Sequence, residues 1–219
     1  MKTSKPTPPE RGQALRMHEL LDAALQVFAT QGYRHARVDD VAEAAGVTKG
    51  AIYYYFDTKE ALLLGVINHF QAAAFGRAED ALRDPALSAA TRIRMVIRKV
   101  FSRRETTTGD RMLTLLLRDV ATEVPRAHER WLRDGPVRFW KLLGTLVTEG
   151  KQHGEFRSDA DDEVGARVLI SGLMLQFMWQ QHAAAVPGLV IDDDRLLDSS
   201  TELFLAALRP VYAARSRHD

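Results

Sequence analysis

Apolar residues recur along this chain at intervals of three and four, and no stretch alternates at period two for long. Each such run predicts a helix with one buried face. Met17, Leu21, Ala24, Leu25 and Phe28 form a stripe over 11–31, which Gly32 ends. Val38, Val41, Ala42 and Ala45 mark a short helix, and Ile52 and Phe56 a second. Leu62, Val66, Phe70 and Ala73 give the face of a long helix running to about Leu82, opened by Asp57 and Glu60 at capping-box spacing. Asp84-Pro85 breaks it, and the pattern resumes over 86–104 through Ile93, Val96, Ile97, Val100 and Phe101. After a loop at 105–109, a helix over 110–123 packs through Leu113, Leu116, Leu117 and Val120. Pro125 opens another, broken or kinked at Gly135-Pro136. The run 136–152 carries Phe139, Trp140, Leu143, Leu146 and Val147, and 160–184 is apolar on more than one face. A last helix, capped by Asp192 to Asp194, carries Leu197, Phe204, Leu208 and Val211. The predicted fold is all-α, without internal repeat.

The stretch 38–59 organises the rest. Its two short helices are separated by a tight turn in which Gly46 supplies a permissive backbone and Thr48 a capping hydroxyl. Such a pair is a helix-turn-helix, whose second helix can enter a DNA major groove. At roughly 100° per residue, with Ile52 inward, Gly50 and Tyr54 point outward. Lys49, Ala51, Tyr53 and Tyr55 lie on the flanks. Gly50 costs a helix about 1 kcal/mol relative to Ala, so close approach of another surface accounts for it better than stability does.

The sequence A-G-V-T-K-G-A-I-Y-Y-Y-F followed by D-T-K-E-A-L-L resembles the DNA-binding signature of TetR-family transcriptional repressors. The match runs from about Leu20 to Leu64, with Gly46, Val47, Lys49, Gly50, Tyr53, Phe56 and Lys59 at the family's spacings; G-E-F-R at 154–157 is also common there. One departure is Ala36-Arg37, where family members usually carry a Ser or Thr cap; Arg37 there can reach a phosphate. Residues 1–10, with three prolines, two lysines and almost nothing to bury, are expected to be a flexible arm. The resemblance implies an N-terminal three-helix DNA-binding head at 11–56 and a helical regulatory domain at 57–219 with an effector pocket and dimer interface. DNA contacts are expected from Arg37, Thr48, Lys49, Gly50, Ala51, Tyr53, Tyr54, Tyr55 and Lys59. The implied activity is repression: a dimer on a palindromic double-stranded operator, released by a small apolar or aromatic ligand.

Met and aromatic residues are dense after residue 100, and such residues line adaptable apolar cavities as readily as they fill cores. Pocket candidates are Phe101, Met112, Leu116, His128, Trp131, Phe139, Met174, Phe177 and Met178. The two-faced helix over 160–184 is either central to a large core or shared between core and a second subunit. For a homodimer interface the candidates are Trp140, Gly144, Val147, Val168, Ser171, Gly172, Leu175 and Trp179, with the small residues allowing helices to approach.

Composition narrows this. At 46% hydrophobic and 27% charged residues, the chain has the makeup of a soluble globular protein. It has no cysteine, which excludes disulfides, thiolate metal sites and a cysteine nucleophile. No apolar run approaches the ~18 residues of a membrane span and no signal-peptide core follows Met1, which predicts a cytoplasmic location. The seven histidines show no metal-site spacing, and no catalytic or phosphate-binding motif stands out, so neither metal, cofactor nor enzymatic activity is expected. Alternatives remain an all-α enzyme, or an effector-independent activator or architectural DNA-binding protein. Net charge does not favour DNA: the total is +1, and residues 1–60 hold as many acids as bases. Any electropositive footprint must come from arrangement. The basic stripe Arg92, Arg94, Arg98, Lys99, Arg103 and Arg104 reads as nucleic-acid contact or, equally, as a solvated helix face.

Overall fold

Two helices of 24 residues each bracket the helix-turn-helix: α1 (Pro8–Gln31) before it and α4 (Lys59–Leu82) after it. Between them lie α2 (Val38–Ala44) and α3 (Lys49–Tyr55). Then follow α5 (Ala89–Phe101), α6 (Pro125–Leu132), α7 (Arg138–Gln152), α8 (Val164–Gln180) and α9 (Asp193–Leu208). The structure, a computed structural model, describes residues 8–82, 84, 86–101, 116, 120–180 and 185–210. Among the described residues there are nine α-helices and no strand, as an all-α fold requires. The loop expected at 105–109, most of the helix at 110–123, and Arg103, Arg104, Met112 and Val211 lie outside them.

Three boundaries differ from the sequence reading. Helix α1 begins at Pro8, inside the stretch expected to be a flexible arm, because proline suits a first helical turn, where its missing N–H has no partner to lose. Thr58, rather than Asp57, caps α4, its Oγ1 accepting from Ala61 N–H at 3.0 Å. Ala73 is exposed, and Leu63 and Ile67 join Leu62, Val66 and Phe70 on the buried face of α4.

The chain forms two compact units. The first comprises residues 1–73 and 107–134, the second 74–106 and 135–219. In the first, Leu21, Leu25 and Phe28 of α1 pack with Val41 of α2, Ile52 of α3 and Leu62, Val66 and Ile67 of α4; Leu116, Val120, Val124 and Ala127 join the same core. In the second, Ile93, Val96 and Ile97 of α5 meet Leu143, Leu146 and Val147 of α7, Leu169, Ile170 and Leu173 of α8, and Leu197, Phe204 and Leu205 of α9.

The break expected at Gly135-Pro136 is a π-helical turn over Arg133–Val137. Just before it, the buried Gln71 side chain reaches the end of α6, its Nε2 donating to the Trp131 carbonyl at 2.8 Å. The bond gives the buried amide a partner, without which it would be costly.

Candidate nucleic-acid interface

The turn between α2 and α3 is built from the sequence as expected. Gly46 takes a left-handed φ of 62°, and Val47 N–H reaches back to the Ala42 carbonyl at 3.0 Å, closing the end of α2. Thr48 then caps α3, its Oγ1 accepting from Ala51 N–H at 3.2 Å. At the start of α2, where the usual hydroxyl is missing, Asp40 turns back and accepts from the backbone N–H of Arg37 at 3.0 Å. Arg37 is therefore the N-cap by position alone, and its guanidinium is left exposed.

Ile52, 1% exposed, pins α3 to the core, and at its end Phe56 leaves the helical conformation to seat its ring on α4. That seat depends on Gly65: a Cβ there would lie 2.5 Å from the Phe56 ring. With Ile52 inward, Tyr54 stands 80% exposed on the opposite side, and Tyr53 and Tyr55 flank it half-exposed. The rings of Tyr54 and Tyr55 meet edge to face, 4.9 Å between centroids. Around Gly50 the space is open: a Cβ built there meets nothing nearer than Thr48 Oγ1 at 3.9 Å. Nothing inside the protein demands glycine at this position. Ala51 is partly buried beside it.

The cations of this face are held. Lys49 Nζ lies 2.9 Å from Asp39 Oδ2, and Arg37 reaches the same oxygen at 3.9 Å. Lys59 sits 4.4 Å over the Tyr33 ring and donates to the Arg34 carbonyl at 3.3 Å. Burial holds the Lys59 ammonium below the usual lysine range, with Glu123 pulling the other way. Burial, then the Glu60 and Glu123 carboxylates, push the Tyr33 phenol up.

Pocket candidates divide between the units. Leu116, His128 and Trp131 belong to the first, where the last two rings lie tilted to each other at 5.3 Å; Met112 lies outside the described residues. Phe101, Phe139, Met174, Phe177 and Met178 belong to the second. There Phe101 stacks on Phe177 at 6.2 Å and meets Phe139 edge-on at 6.1 Å, with Met174 packed against the same cluster.

Of the dimer candidates, Val168, Leu175 and Trp179 form an exposed apolar line on α8, with Ser171 and Gly172 open between them. Val147 does not join that line: it is fully buried, because α7 turns it inward with Leu143 and Leu146. Gly144 is small for a reason within the unit, since a Cβ there would lie 2.9 Å from the Asp162 carbonyl oxygen. Trp140 is half-covered, with the Arg167 guanidinium 4.8 Å over its ring.

Three arginines of the basic stripe on α5 are paired with acids inside the second unit. Arg94 forks onto Glu202 at 2.6 and 3.2 Å, Arg98 pairs with Asp198, and Arg92 is buried against Glu149. Placing Arg92 on the solvated face is thereby corrected: it is 8% exposed, among the buried residues of α5. Sequence reasoning also missed the Asp39 bridge, the Gln71 contact, and a pairing of His18 with His69, whose Nδ1 and Nε2 lie 3.4 Å apart. Partners ten to sixty residues apart leave no periodic signal. Among the described residues no group of three metal-ligating side chains converges, and no helix is long and apolar enough to cross a membrane.

Residues 20–66 match the family described as bacterial regulatory proteins, tetR family. Over 186 residues the chain is 28% identical to the HTH-type transcriptional repressor KstR2 of Rhodococcus jostii, covering 84% of this chain and 89% of that one. It is 30% identical over 158 residues to the fatty acid metabolism regulator protein of Bacillus subtilis, covering 70% and 77%. In fold it is similar to the transcriptional regulator FadR from Bacillus subtilis solved in complex with stearoyl-CoA, with a TM-score of 0.70, 24% identity, and coverage of 88% and 99%.

Proposed function

The chain belongs to the TetR family of bacterial regulatory proteins, and from that premise we propose that it binds a palindromic operator as a homodimer through α3. In function it is a DNA-binding transcriptional repressor. The observation that carries the contact assignment is the outward face of α3. It bears a glycine that nothing inside the protein requires and three exposed phenols, on a helix pinned from behind by Ile52. A surface that opens to bare backbone suits close approach to base edges, while hydroxyls and cations at its rim suit phosphate oxygens.

Dimerisation is supported by the exposed line Val168, Leu175 and Trp179, which costs free energy in water and has small residues along it to admit another helix. Two heads are needed because a two-fold pair reads half-sites about 34–36 Å apart, one turn of the duplex. The effector we assign to the Phe101–Phe139–Phe177 cluster of the second unit is a long apolar molecule of the fatty-acyl thioester class. Support comes from the relative named for fatty acid metabolism and the neighbour bound to stearoyl-CoA. Such a ligand acts only by binding the DNA-free state more tightly than the DNA-bound one.

The test is direct. Fragments of the source genome that the purified protein retains are recovered, and binding to them is measured with and without stearoyl-CoA, with free stearate as the comparison. Salt-sensitive, sequence-selective binding that stearoyl-CoA abolishes supports the reading. Retention of no fragment above random DNA overturns the operator assignment, and binding indifferent to the thioester overturns the effector class.

A further inference from the structure

We propose that Asp39 is a specificity-determining residue of the DNA-binding face: its carboxylate holds the cations that phosphate would otherwise claim, and so weakens binding to DNA of arbitrary sequence. This rests on the reading that the α2–α3 face meets DNA. Asp39 is the second residue of α2 and Lys49 the first of α3, so their ion pair ties together the N-terminal ends of the two motif helices. One oxygen, Oδ2, serves both Lys49 at 2.9 Å and Arg37 at 3.9 Å. All three side chains are about half or more exposed, at 47% for Asp39, 50% for Lys49 and 76% for Arg37, so the bridge stands at the surface rather than in the core.

A carboxylate in the first turn of α2 suits the helix N-terminus, but Asp40 already supplies one there, and that role does not require Asp39 to take up Lys49 and Arg37. The capping of α2 is done by its neighbour, because Asp40 accepts the Arg37 N–H. Among the described residues Asp39 has no partner besides those two cations, so it holds no other structure together. An exposed ion pair of this kind adds little to stability. Its larger consequence is electrostatic. Binding to arbitrary DNA is almost wholly the transfer of phosphate onto Lys and Arg with release of counterions. Lys49 cannot pass to a phosphate without leaving the Asp39 carboxylate facing the same strand. Residues 1–60 carry eight bases and eight acids, so occupying Lys49 and Arg37 takes two of the eight cations from a non-specific complex. An operator complex also draws on base contacts and loses proportionately less, so the carboxylate widens the gap between right and wrong sequences.

The experiment uses the full-length chain and a short duplex of random sequence, titrated between about 50 and 200 mM salt. Asp39→Asn should tighten binding to this duplex roughly 3- to 10-fold at the low-salt end and steepen the salt slope by about 0.9 per freed cation. Asp39→Ser, a second neutral replacement, should do the same, and Asp39→Glu should return both quantities towards wild type. Thermal unfolding is followed alongside, since a purely structural role would move the melting temperature and leave the slope alone. Neutral variants that fold yet bind the random duplex with wild-type affinity and slope overturn the proposal. Lys49→Ala separates the two levels. If it leaves random-duplex binding unchanged, the face assignment itself fails; if it weakens binding while the Asp39 variants do nothing, only the role of Asp39 fails.

Discussion

Replacing Gly50 by leucine tests which side of α3 faces DNA, because fold and function should respond in opposite directions. The position lies in the first turn of α3, and a Cβ there meets only Thr48 Oγ1 at 3.9 Å, an ordinary van der Waals distance. Added side-chain atoms therefore project into solvent without a clash. Removing a helical glycine stabilises by about 0.5–1 kcal/mol. For a chain of this size that corresponds to a rise of roughly 1–4 °C in melting temperature. On DNA the same atoms occupy the gap between backbone and base edges. Each bidentate base contact is worth about 1–3 kcal/mol, so holding the helix off by one side chain and losing two contacts costs about 2–6 kcal/mol, a drop of at least ~30-fold in operator affinity. Random-sequence DNA, bound through phosphates, should be affected far less. Fluorescence anisotropy on an operator fragment and on random duplex, with thermal unfolding by circular dichroism, reads all three quantities. A Gly50→Leu protein that melts no lower than wild type and still binds its operator within a few-fold would place α3 outside the groove.

Other consequences are equally open to measurement. Val168→Asp should convert dimers to monomers in sedimentation velocity and weaken operator binding without lowering the melting temperature of the protomer; a dimer that persists would remove this line of α8 from the interface. Met178→Trp should fill the apolar side of the second unit at an overpacking cost of no more than ~1–3 kcal/mol. DNA binding should survive and release by stearoyl-CoA be lost, whereas joint loss of stability and DNA binding would mark plain core. The Arg94 guanidinium, forked onto Glu202, holds that carboxyl below its usual range. A depressed folded value means that the pair's contribution is present above about pH 4.3 and disappears as pH falls through the lower folded value. The melting difference between wild type and Glu202→Gln should accordingly shrink across that acid window, and a difference constant down to about pH 2 would assign it to something other than ionisation.

What could be read in advance follows from how local each signal was. Helix periodicity placed Ile52 inward and Tyr54 outward from seven residues of sequence, and both stand as expected because α3 is regular and pinned by one side chain. The turn was legible for the same reason: Gly46 and Thr48 act on backbone groups within a few residues. Where two helices share a face the pattern blurred. Helix α8 read as two-faced, and the structure resolves this into a buried side, with Leu169, Ile170 and Leu173, and an exposed side, with Val168, Leu175 and Trp179. Val147 was misplaced because a buried valine and an interface valine carry the same apolar signal on α7. The ion pairs were invisible. Arg94 and Glu202 lie 108 residues apart, and nothing but the packed fold brings them within 2.6 Å.

That last class of contact changes how the neutral head has to be understood. A protein with a strongly basic face gains most of its DNA affinity from counterion release and must then discriminate against a large non-specific background. Here the bases near the motif are engaged in the free protein: Lys49 with Asp39, and Lys59 with the Tyr33 ring and the Arg34 carbonyl. To use them on phosphate the protein must exchange internal partners for external ones, so each contributes the difference between two interactions rather than one whole interaction. Weight therefore shifts to what is not exchanged. If α3 meets DNA as proposed, the open backbone at Gly50 and the projecting ring of Tyr54 give up little internal packing and reward only a groove of the right shape and sequence. Balanced charge in the head is thus compatible with a DNA reader, provided that recognition rests on the fit of α3 and that its cations set the threshold for staying bound.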